Sequence, residues 1–292
     1  MMTVHEIADY LRVKERKIYD LITQKQIPCT RVTGKWLFSR HLIDLWLMNN
    51  SETSLQDLRF KTIPEIMVGS HDPLLEWALR ESVSAMAMQT TGSLEGLSRF
   101  SAGEAMICAM HVLDVETGEY NVPVVKQTLQ DADIVVLEWA WRGQGLIVAR
   151  NNPLAIQNLA DLLAKQPRLV IRQNGSGSRI LLDHLLEKSG IAENKLNIID
   201  MLARTEMEVG LAISGGRADV GLAVSSVAKQ LHLDFIPLAK ERFDLIMRRF
   251  DYFEPPIQKM LVFCQSIAFA DKAKELGDYD IRGLGRVVYN KR

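Results

Sequence analysis

Three short runs of hydroxyl and glycine residues carry the most suggestive chemistry in this 292-residue chain: Gly69-Ser70-His71-Asp72, Thr90-Thr91-Gly92-Ser93 and Asn174-Gly175-Ser176-Gly177-Ser178-Arg179. Each follows an apolar stretch of strand character and leads into one of helical periodicity. A helix N-terminus exposes amides without a partner in the helix, together with a partial positive charge. Several aimed at one point therefore make a cradle for an anion. One such run is an ordinary helix cap; three in matching positions predict a shared crevice. Ligands of open α/β sheets sit at the carboxyl ends of strands, which is where these runs fall. His71 and His111 invite a catalytic or metal reading, yet no Ser/His/Asp arrangement, HExxH or carboxylate ladder accompanies them. They are read as loop residues that cap a helix or line the cleft. The chain is read as a binding protein, without catalysis.

A second chemistry is concentrated in the first fifty residues. Overall net charge is −1, but this stretch holds eight Lys/Arg (Arg12, Lys14, Arg16, Lys17, Lys25, Arg31, Lys35, Arg40) against five acids (Glu6, Asp9, Glu15, Asp20, Asp44), a local +3 that leaves −4 for the remainder. Contact with phosphate depends on local basic charge, not on the average.

The elements that must position these groups can be read from spacing. Thr3 followed by Glu6 is a capping box for a first helix with Ile7, Ala8 and Leu11 on its apolar face. Val13 is expected to be a buried turn residue. A second helix opens at Lys14 or Glu15, with Ile18, Leu21 and Ile22 facing inward and Arg16, Lys17 and Asp20 facing outward. Ile27-Pro28 ends that region. Two short β-like runs hinge at Thr33-Gly34. Ser39 then caps a last helix whose Leu42, Ile43, Leu45, Trp46 and Leu47 close the core. Helix, turn, helix, hairpin, helix is a winged helix-turn-helix order. Residues 51–63 are polar and read as a tether, with a short helix around Leu55–Leu58.

From residue 64 to 292 the texture is α/β. Strands are expected at Ile66–Gly69, Ala85–Gln89, Ala105–Ala109, Ile134–Trp139, Gly145–Ala149, Leu169–Arg172, Asn197–Met201, Asp219–Ala223, Asp234–Pro237 and Phe243–Met247. Helices are expected at Asp72–Glu81, Ser93–Ser101, Ile156–Lys165, Ser178–Lys188, Glu206–Ile213, Ser226–Leu231 and Pro256–Ala268. Strand-helix alternation predicts a mostly parallel sheet covered on both faces. Trp139 and Trp141 read as packing residues between lobes. Cys29, Cys108 and Cys264 are too far apart for a metal knuckle and read as reduced thiols. No apolar run approaches the ~18 residues of a membrane helix. The N-terminus opens on a helix cap instead of a signal peptide, so a cytoplasmic protein is expected.

Residues 2–48 resemble the excisionase-like, MerR-related DNA-binding heads. The match is carried by Val4-His5-Glu6-Ile7-Ala8-Asp9-Tyr10-Leu11, Lys17-Ile18-Tyr19-Asp20-Leu21-Ile22, Ile27-Pro28 and Gly34-Lys35-Trp36-Leu37-Phe38. This chain has Arg12 where those heads usually have Gly, Lys14 where a small cap is common, and Asp20 at a position often basic. The resemblance implies that the second helix enters the major groove of double-stranded DNA. Lys14, Glu15, Arg16, Lys17 and Tyr19 would then contact base or phosphate, and Arg31 and Lys35 would contact DNA from the wing. One +3 module neutralises few phosphates, so a homodimer is expected.

Residues 64 to about 250 resemble the type II periplasmic-binding-protein-like domains of cytoplasmic regulators and some molybdenum-cofactor proteins. The three hydroxyl-glycine runs carry this resemblance, with Gln144-Gly145-Leu146-Ile147-Val148, Gly216-Arg217-Ala218-Asp219-Val220-Gly221-Leu222 and Asp234-Phe235-Ile236-Pro237-Leu238. It implies two hinged lobes, the first about 64–140 and 240–292, the second about 141–239. Ser70 and Ser93 would donate from the first, and Ser176, Gly177, Ser178 and Arg179 from the second, with Thr205 as a weaker candidate. Arg179 can instead pair with Asp183 one turn on. Neutral donors suit a tetrahedral oxyanion, and the resemblance implies molybdate or tungstate; a small organic anion or cofactor precursor would meet the same donors. Thr205-Glu206 stands where a Thr-His pair is common, which puts an acid near the cleft. Together these readings predict a ligand-responsive transcriptional regulator with no cofactor beyond the oxyanion. The alternative is a molybdenum-cofactor-related enzyme or carrier with an accessory helix-turn-helix module.

Overall fold

The computed structural model describes all residues except 33, 51–62, 131 and 292. The chain divides into two compact units, Met1–Thr62 and Ile63–Arg292. The tether expected at 51–63 lies, but for Ile63, outside the described residues, as does the helix expected around Leu55–Leu58.

The first unit has the element order its sequence predicts, although Leu42 and Leu47, expected to help close the core, are exposed. Helix α1 (Val4–Leu11) is closed at its start by the reciprocal cap, the Thr3 hydroxyl accepting from the Glu6 amide at 3.3 Å and the Glu6 carboxylate accepting from the Thr3 amide at 2.7 Å. Arg12 follows at φ 53°, a left-handed conformation that explains why glycine is common at this turn. Helix α2 (Glu15–Thr23) leads to a hairpin of β1 (Thr30–Val32) and β2 (Lys35–Leu37), turned at Gly34 with φ 81°. Helix α3 (Arg40–Asn49) closes a core of Ile7, Ala8, Ile18, Ile27, Phe38 and Ile43. Val13, expected inside, is 40% exposed. Its amide bonds the Ala8 carbonyl at 2.9 Å, so the turn uses its backbone while other residues fill the core.

The second unit runs β3 (Ile66–Gly69), α4 (Pro73–Glu81), β4 (Ala87–Thr90), α5 (Ser93–Ser101), β5 (Ile107–Met110), α6 (Val122–Thr128), β6 (Ile134–Val148), α7 (Ala160–Lys165), β7 (Leu169–Arg172) and α8 (Gly177–Lys188). It continues through β8 (Ile198–Ala203), α9 (Glu206–Ser214), β9 (Val220–Val224), α10 (Ser225–Gln230), β10 (Asp234–Arg248), α11 (Pro255–Phe263), α12 (Ile267–Leu276), β11 (Tyr279–Asp280) and β12 (Val287–Asn290). The sheet order is β4-β3-β5-β10-β6-β9-β7-β8, with β11 and β12 paired to β6. Two parallel triplets, β4-β3-β5 and β9-β7-β8, are joined by the antiparallel ribbon β6–β10.

That ribbon departs from expectation. Two strands are expected along each of its partners, Ile134–Trp139 with Gly145–Ala149 and Asp234–Pro237 with Phe243–Met247. Each ribbon partner is one 15-residue strand. The glycines permit close approach: a Cβ at Gly143 would lie 1.6 Å from an Asp278 carboxylate oxygen, and one at Gly145 would lie 2.1 Å from the Ile236 carbonyl. Pro237, which has no amide to donate, falls at a register shift between Pro237 and Ala239. The helix expected at Pro256–Ala268 is split into α11 and α12, because Ser266 caps the second piece by accepting from the Phe269 amide.

Each triplet has its own two-faced core. In the first, Met67, Ile107, Trp139 and Leu245 lie on one face and Val68, Cys108, Val136 and Ile246 on the other. In the second, Leu146, Leu169 and Leu222 alternate with Ile147, Val170 and Ala223. These are lobe 1 and lobe 2. Among the described residues no helix is long and apolar enough to cross a membrane.

Candidate functional site

In lobe 1 the chain leaves β3 and β5 with very tight backbone packing. Gly69 (φ 109°) has no room for a Cβ, which would sit 2.2 Å from the Ala109 carbonyl, and the Ser70 amide donates to that same carbonyl at 2.7 Å. Gly96 of α5 rests on Gly69, its missing Cβ only 2.3 Å from the Gly69 Cα. This contact brings the start of α5 against the end of β3. The Ser70 and Ser93 hydroxyls, both buried, bond each other at 2.7 Å, and the His111 amide donates to Ser93 Oγ at 3.4 Å.

In lobe 2, Ser176 caps α8. Its hydroxyl accepts from the Arg179 amide at 3.3 Å and donates to the Gln173 carbonyl at 2.9 Å. Ser178 Oγ accepts from Arg172 at 3.3 Å, and Arg172 also donates to the Ala203 and Arg204 carbonyls, fixing the loop before α9. Thr205 caps α9, its hydroxyl accepting from the Glu208 amide at 3.1 Å. The two lobes meet here. The Leu94 amide of α5 donates to the Gly175 carbonyl at 3.2 Å, and a Cβ on Gly177 would lie 2.3 Å from the His111 carbonyl oxygen.

Ser93 and Gly177 therefore meet at His111 in the crevice between the lobes, with Ser70 bonded to Ser93 and with Ser176 and Ser178 flanking Gly177, and all five are buried. Arg179 is not part of it. Its guanidinium donates to Asp183 at 3.0 Å and pairs with Glu193, so the i, i+4 pairing takes this side chain. Thr205 is half-buried and makes none of these contacts; its neighbour Glu206 comes within 4.0 Å of His111 Nε2.

Beneath these residues lies a buried ionic network. Asp72 caps α4, accepting from the Leu75 amide at 2.8 Å, and also accepts from Trp139 Nε1 (3.0 Å), Arg142 (2.7 Å) and the Tyr279 hydroxyl (2.7 Å). Arg142 donates on its other side to Glu241, its register partner across the ribbon. Glu241 Oε2 is 2.7 Å from His111 Nδ1. Gln144 Nε2 donates to both Glu206 Oε1 (2.8 Å) and Glu241 Oε1 (3.0 Å), while Glu206 Oε2 accepts from the Val224 amide at 2.9 Å.

Asp72, Glu206 and Glu241 thus face two guanidiniums, Arg142 and Arg172, with all five side chains buried. Moving an unpaired charge out of water costs several kcal/mol, so such a network persists only if its members answer one another. Burial pushes the Glu241 carboxyl up, but Arg142 and His111 outweigh it and hold the group below the usual carboxylate range. Burial also pushes the Arg172 guanidinium down, with Glu206 opposing it. Burial and Asp72 together raise the Tyr279 phenol. Two buried polar atoms in the network have no hydrogen-bond partner, Arg142 Nε and Gln144 Oε1. Residues 142 and 144 lie two apart in one strand, hence on one face, and Glu241-Arg242 interrupts an apolar strand. Glu206 and His111 are expected near the cleft from the sequence, whereas the joining of Asp72, Arg142, Gln144 and Glu241 to them is not.

In the first unit, Lys14, Glu15, Arg16, Lys17 and Tyr19 are exposed at the start and along the outside of α2, and Arg31 and Lys35 are exposed on the hairpin. Glu15 is engaged by His5 Nδ1 at 2.9 Å, and Arg31 lies over the Trp36 ring at 5.3 Å. The others named make no side-chain hydrogen bond or ion pair among the described residues.

A family model described as a PBP superfamily domain matches residues 76–265, and one for a helix-turn-helix domain matches residues 1–51. The protein YvgK of Bacillus subtilis (strain 168) is 26% identical across 98% of this chain and 97% of its own length. Among solved structures, a substrate-binding protein assigned to phosphate ABC transport, with bound phosphate, from Clostridium perfringens superposes with a TM-score of 0.54. It is 16% identical and covers 72% of this chain and 96% of that one. The tungstate ABC transporter structure from Geobacter sulfurreducens gives a TM-score of 0.50 at 12% identity, covering 70% of this chain and 95% of its own. A DNA-binding type of head is joined to a substrate-binding type of domain.

Proposed function

The chain belongs to the PBP superfamily, and from that premise we propose that it is a ligand-responsive transcriptional regulator that senses a small oxyanion. One observation carries the reading: Ser70 and Ser93 from lobe 1 and the Ser176-Gly177-Ser178 turn from lobe 2 converge on His111. Hydroxyls and helix-start amides from two lobes can replace the hydration shell of a tetrahedral anion, and only the closed arrangement offers them together. Molybdate or tungstate is the proposed ligand; the likeness to structures described as binding phosphate and belonging to tungstate transport is in keeping with that class. Arg179 is left out of the donor set because Asp183 and Glu193 occupy it.

The head is proposed to read the major groove with Lys14, Glu15, Arg16, Lys17 and Tyr19, and to touch the DNA backbone with Arg31 and Lys35. Two copies acting as a homodimer in the cytoplasm would supply the phosphate contacts that one +3 module lacks. Anion binding favours closed lobes, and closure alters the spacing of two heads on a pseudo-palindromic site. No bond-breaking step is assigned.

The test is fluorescence anisotropy of the full chain on DNA selected by it from random duplexes, at fixed salt, with molybdate, tungstate or phosphate. A change in apparent Kd of at least about 5-fold with one oxyanion is expected, the lower end of common allosteric coupling. Affinity that stays constant with every oxyanion would remove the switch.

A further inference from the structure

The floor of the cleft offers something the oxyanion reading does not use. We propose that His111 and Glu206 bind a first-row divalent cation, with the Gln144 side-chain carbonyl as a further ligand and Glu241 orienting the imidazole. The proposal goes beyond the oxyanion reading and does not depend on it.

His111, Glu206 and Glu241 each offer one donor atom within 4.8 Å of the others, and all three are buried. Their roles differ. Glu241 Oε2 lies 2.7 Å from His111 Nδ1. A proton on Nδ1 would leave Nε2 with its lone pair, the arrangement in which a carboxylate orients a metal-binding imidazole. Nε2 in turn stands 4.0 Å from Glu206 Oε1, too far for a hydrogen bond. Bonds of about 2.0–2.2 Å to one ion place two ligand atoms roughly 3–4 Å apart, which is this separation.

An independent observation points the same way. Gln144 is fully buried, its Nε2 spans Glu206 and Glu241, and its Oε1 has no partner. Turning the amide over would put a carbonyl oxygen between two carboxylates. That is repulsive with nothing there and favourable around a cation. One imidazole, one carboxylate and an amide oxygen, without thiolate and with a second carboxylate behind the imidazole, suit Mn²⁺, Fe²⁺, Co²⁺, Ni²⁺ or Zn²⁺ better than Ca²⁺ or a thiophilic ion.

The residues of the site also come from separate parts of the fold. His111 follows β5 of lobe 1, Glu206 opens α9 of lobe 2, and Gln144 and Glu241 belong to the ribbon. A cation at this point would tie both lobes to the ribbon. It would also offset the Glu206 charge that an anion on the serine side must otherwise face.

The experiment uses the full chain, stripped with EDTA and titrated with Co²⁺ by visible absorption and with Zn²⁺ and Mn²⁺ by calorimetry. One equivalent is expected. Glu206→Gln and His111→Gln, checked for folding by circular dichroism, should weaken uptake at least about 100-fold. A crystal of the loaded wild type, with data at the metal edge, needs no variant to fold; its anomalous peak is expected between His111 and Glu206. No uptake by the folded chain, full uptake by both folded variants, or a peak elsewhere would overturn the site. Molybdate and tungstate are titrated separately into the stripped and the Co²⁺-loaded chain. Uptake of Co²⁺ with neither anion bound in either form would keep this site and remove the oxyanion reading, and anion uptake without Co²⁺ uptake would remove this site alone.

Discussion

Two helices of lobe 2, α8 and α9, begin at the same crevice and are built in opposite ways. Helix α8 opens with Gly177-Ser178, neutral and small, and Gly177 is pressed against His111. Helix α9 opens with Glu206, a buried carboxylate whose oxygens accept from Gln144 and the Val224 amide. Both termini supply free amides and the positive end of a helix dipole. The first residue decides whether that potential is available to a ligand or is already answered by the chain. An anion site and a cation site can thus lie side by side, each specified by one residue at a helix start.

The largest effect should come from Gly177→Val. Its Cβ would meet the His111 carbonyl at 2.3 Å, which holds the lobes apart at α8 and leaves α9 untouched. Oxyanion binding by calorimetry should fall at least about 100-fold while circular dichroism stays native; binding within twofold of wild type would break the assignment of α8 as the ligand-facing helix.

Two buried acids of β10, both with partners, differ in the same sense of which influence wins. Glu241 is held low by Arg142 and His111, whereas burial pushes Asp244 up to about 6 despite Arg242 and Asn121. A folded-state pKa above the unfolded one means that the folded chain holds this proton more tightly. Its contribution is complete below about pH 4 and is lost as pH rises through about 6. The stability of the wild type relative to Asp244→Asn should therefore fall by roughly 2.4 kcal/mol between pH 4 and 7, as read by urea denaturation at each pH. A difference that rises with pH would reverse the assignment.

Smaller still is the expected gain from Glu206→Gln, which gives α9 a neutral start like that of α8. Oxyanion affinity of the stripped chain should rise about tenfold, or ~1.4 kcal/mol. A decrease would mean that the Glu206 charge supports the anion site through its neighbours.

Legibility followed the range of the interactions. The Thr3–Glu6 cap, the α2 periodicity and the Gly34 turn act within a few residues, and they could be read from spacing. So could the helix starts at Ser93 and Ser176, since Ser/Gly before an apolar helix carries its own meaning. The ribbon could not, because Gly143 and Gly145 are small on account of Asp278 and Ile236, distant in sequence. The ionic floor joins positions 72, 111, 142, 206, 241 and 279, and only the sheet order brings them together. Arg179 was ambiguous in the sequence because the loop offered both an anion and Asp183; Glu193, fourteen residues on, settles which partner it takes.

The route of the chain through the ribbon has a consequence for synthesis on the ribosome. Lobe 2 is one uninterrupted stretch from β7 to α10, and it can bury Leu169, Val170, Leu222 and Ala223 as soon as those residues emerge. Lobe 1 begins at β3 yet depends on Phe243, Leu245, Met260 and Phe269 for its interior. The part translated first must therefore wait, with β3 and β5 unfinished, until nearly the whole polypeptide has been made. Non-local pairing of this kind is slow, so the nascent protein carries an exposed apolar sheet edge, a client surface for chaperones, for most of its translation.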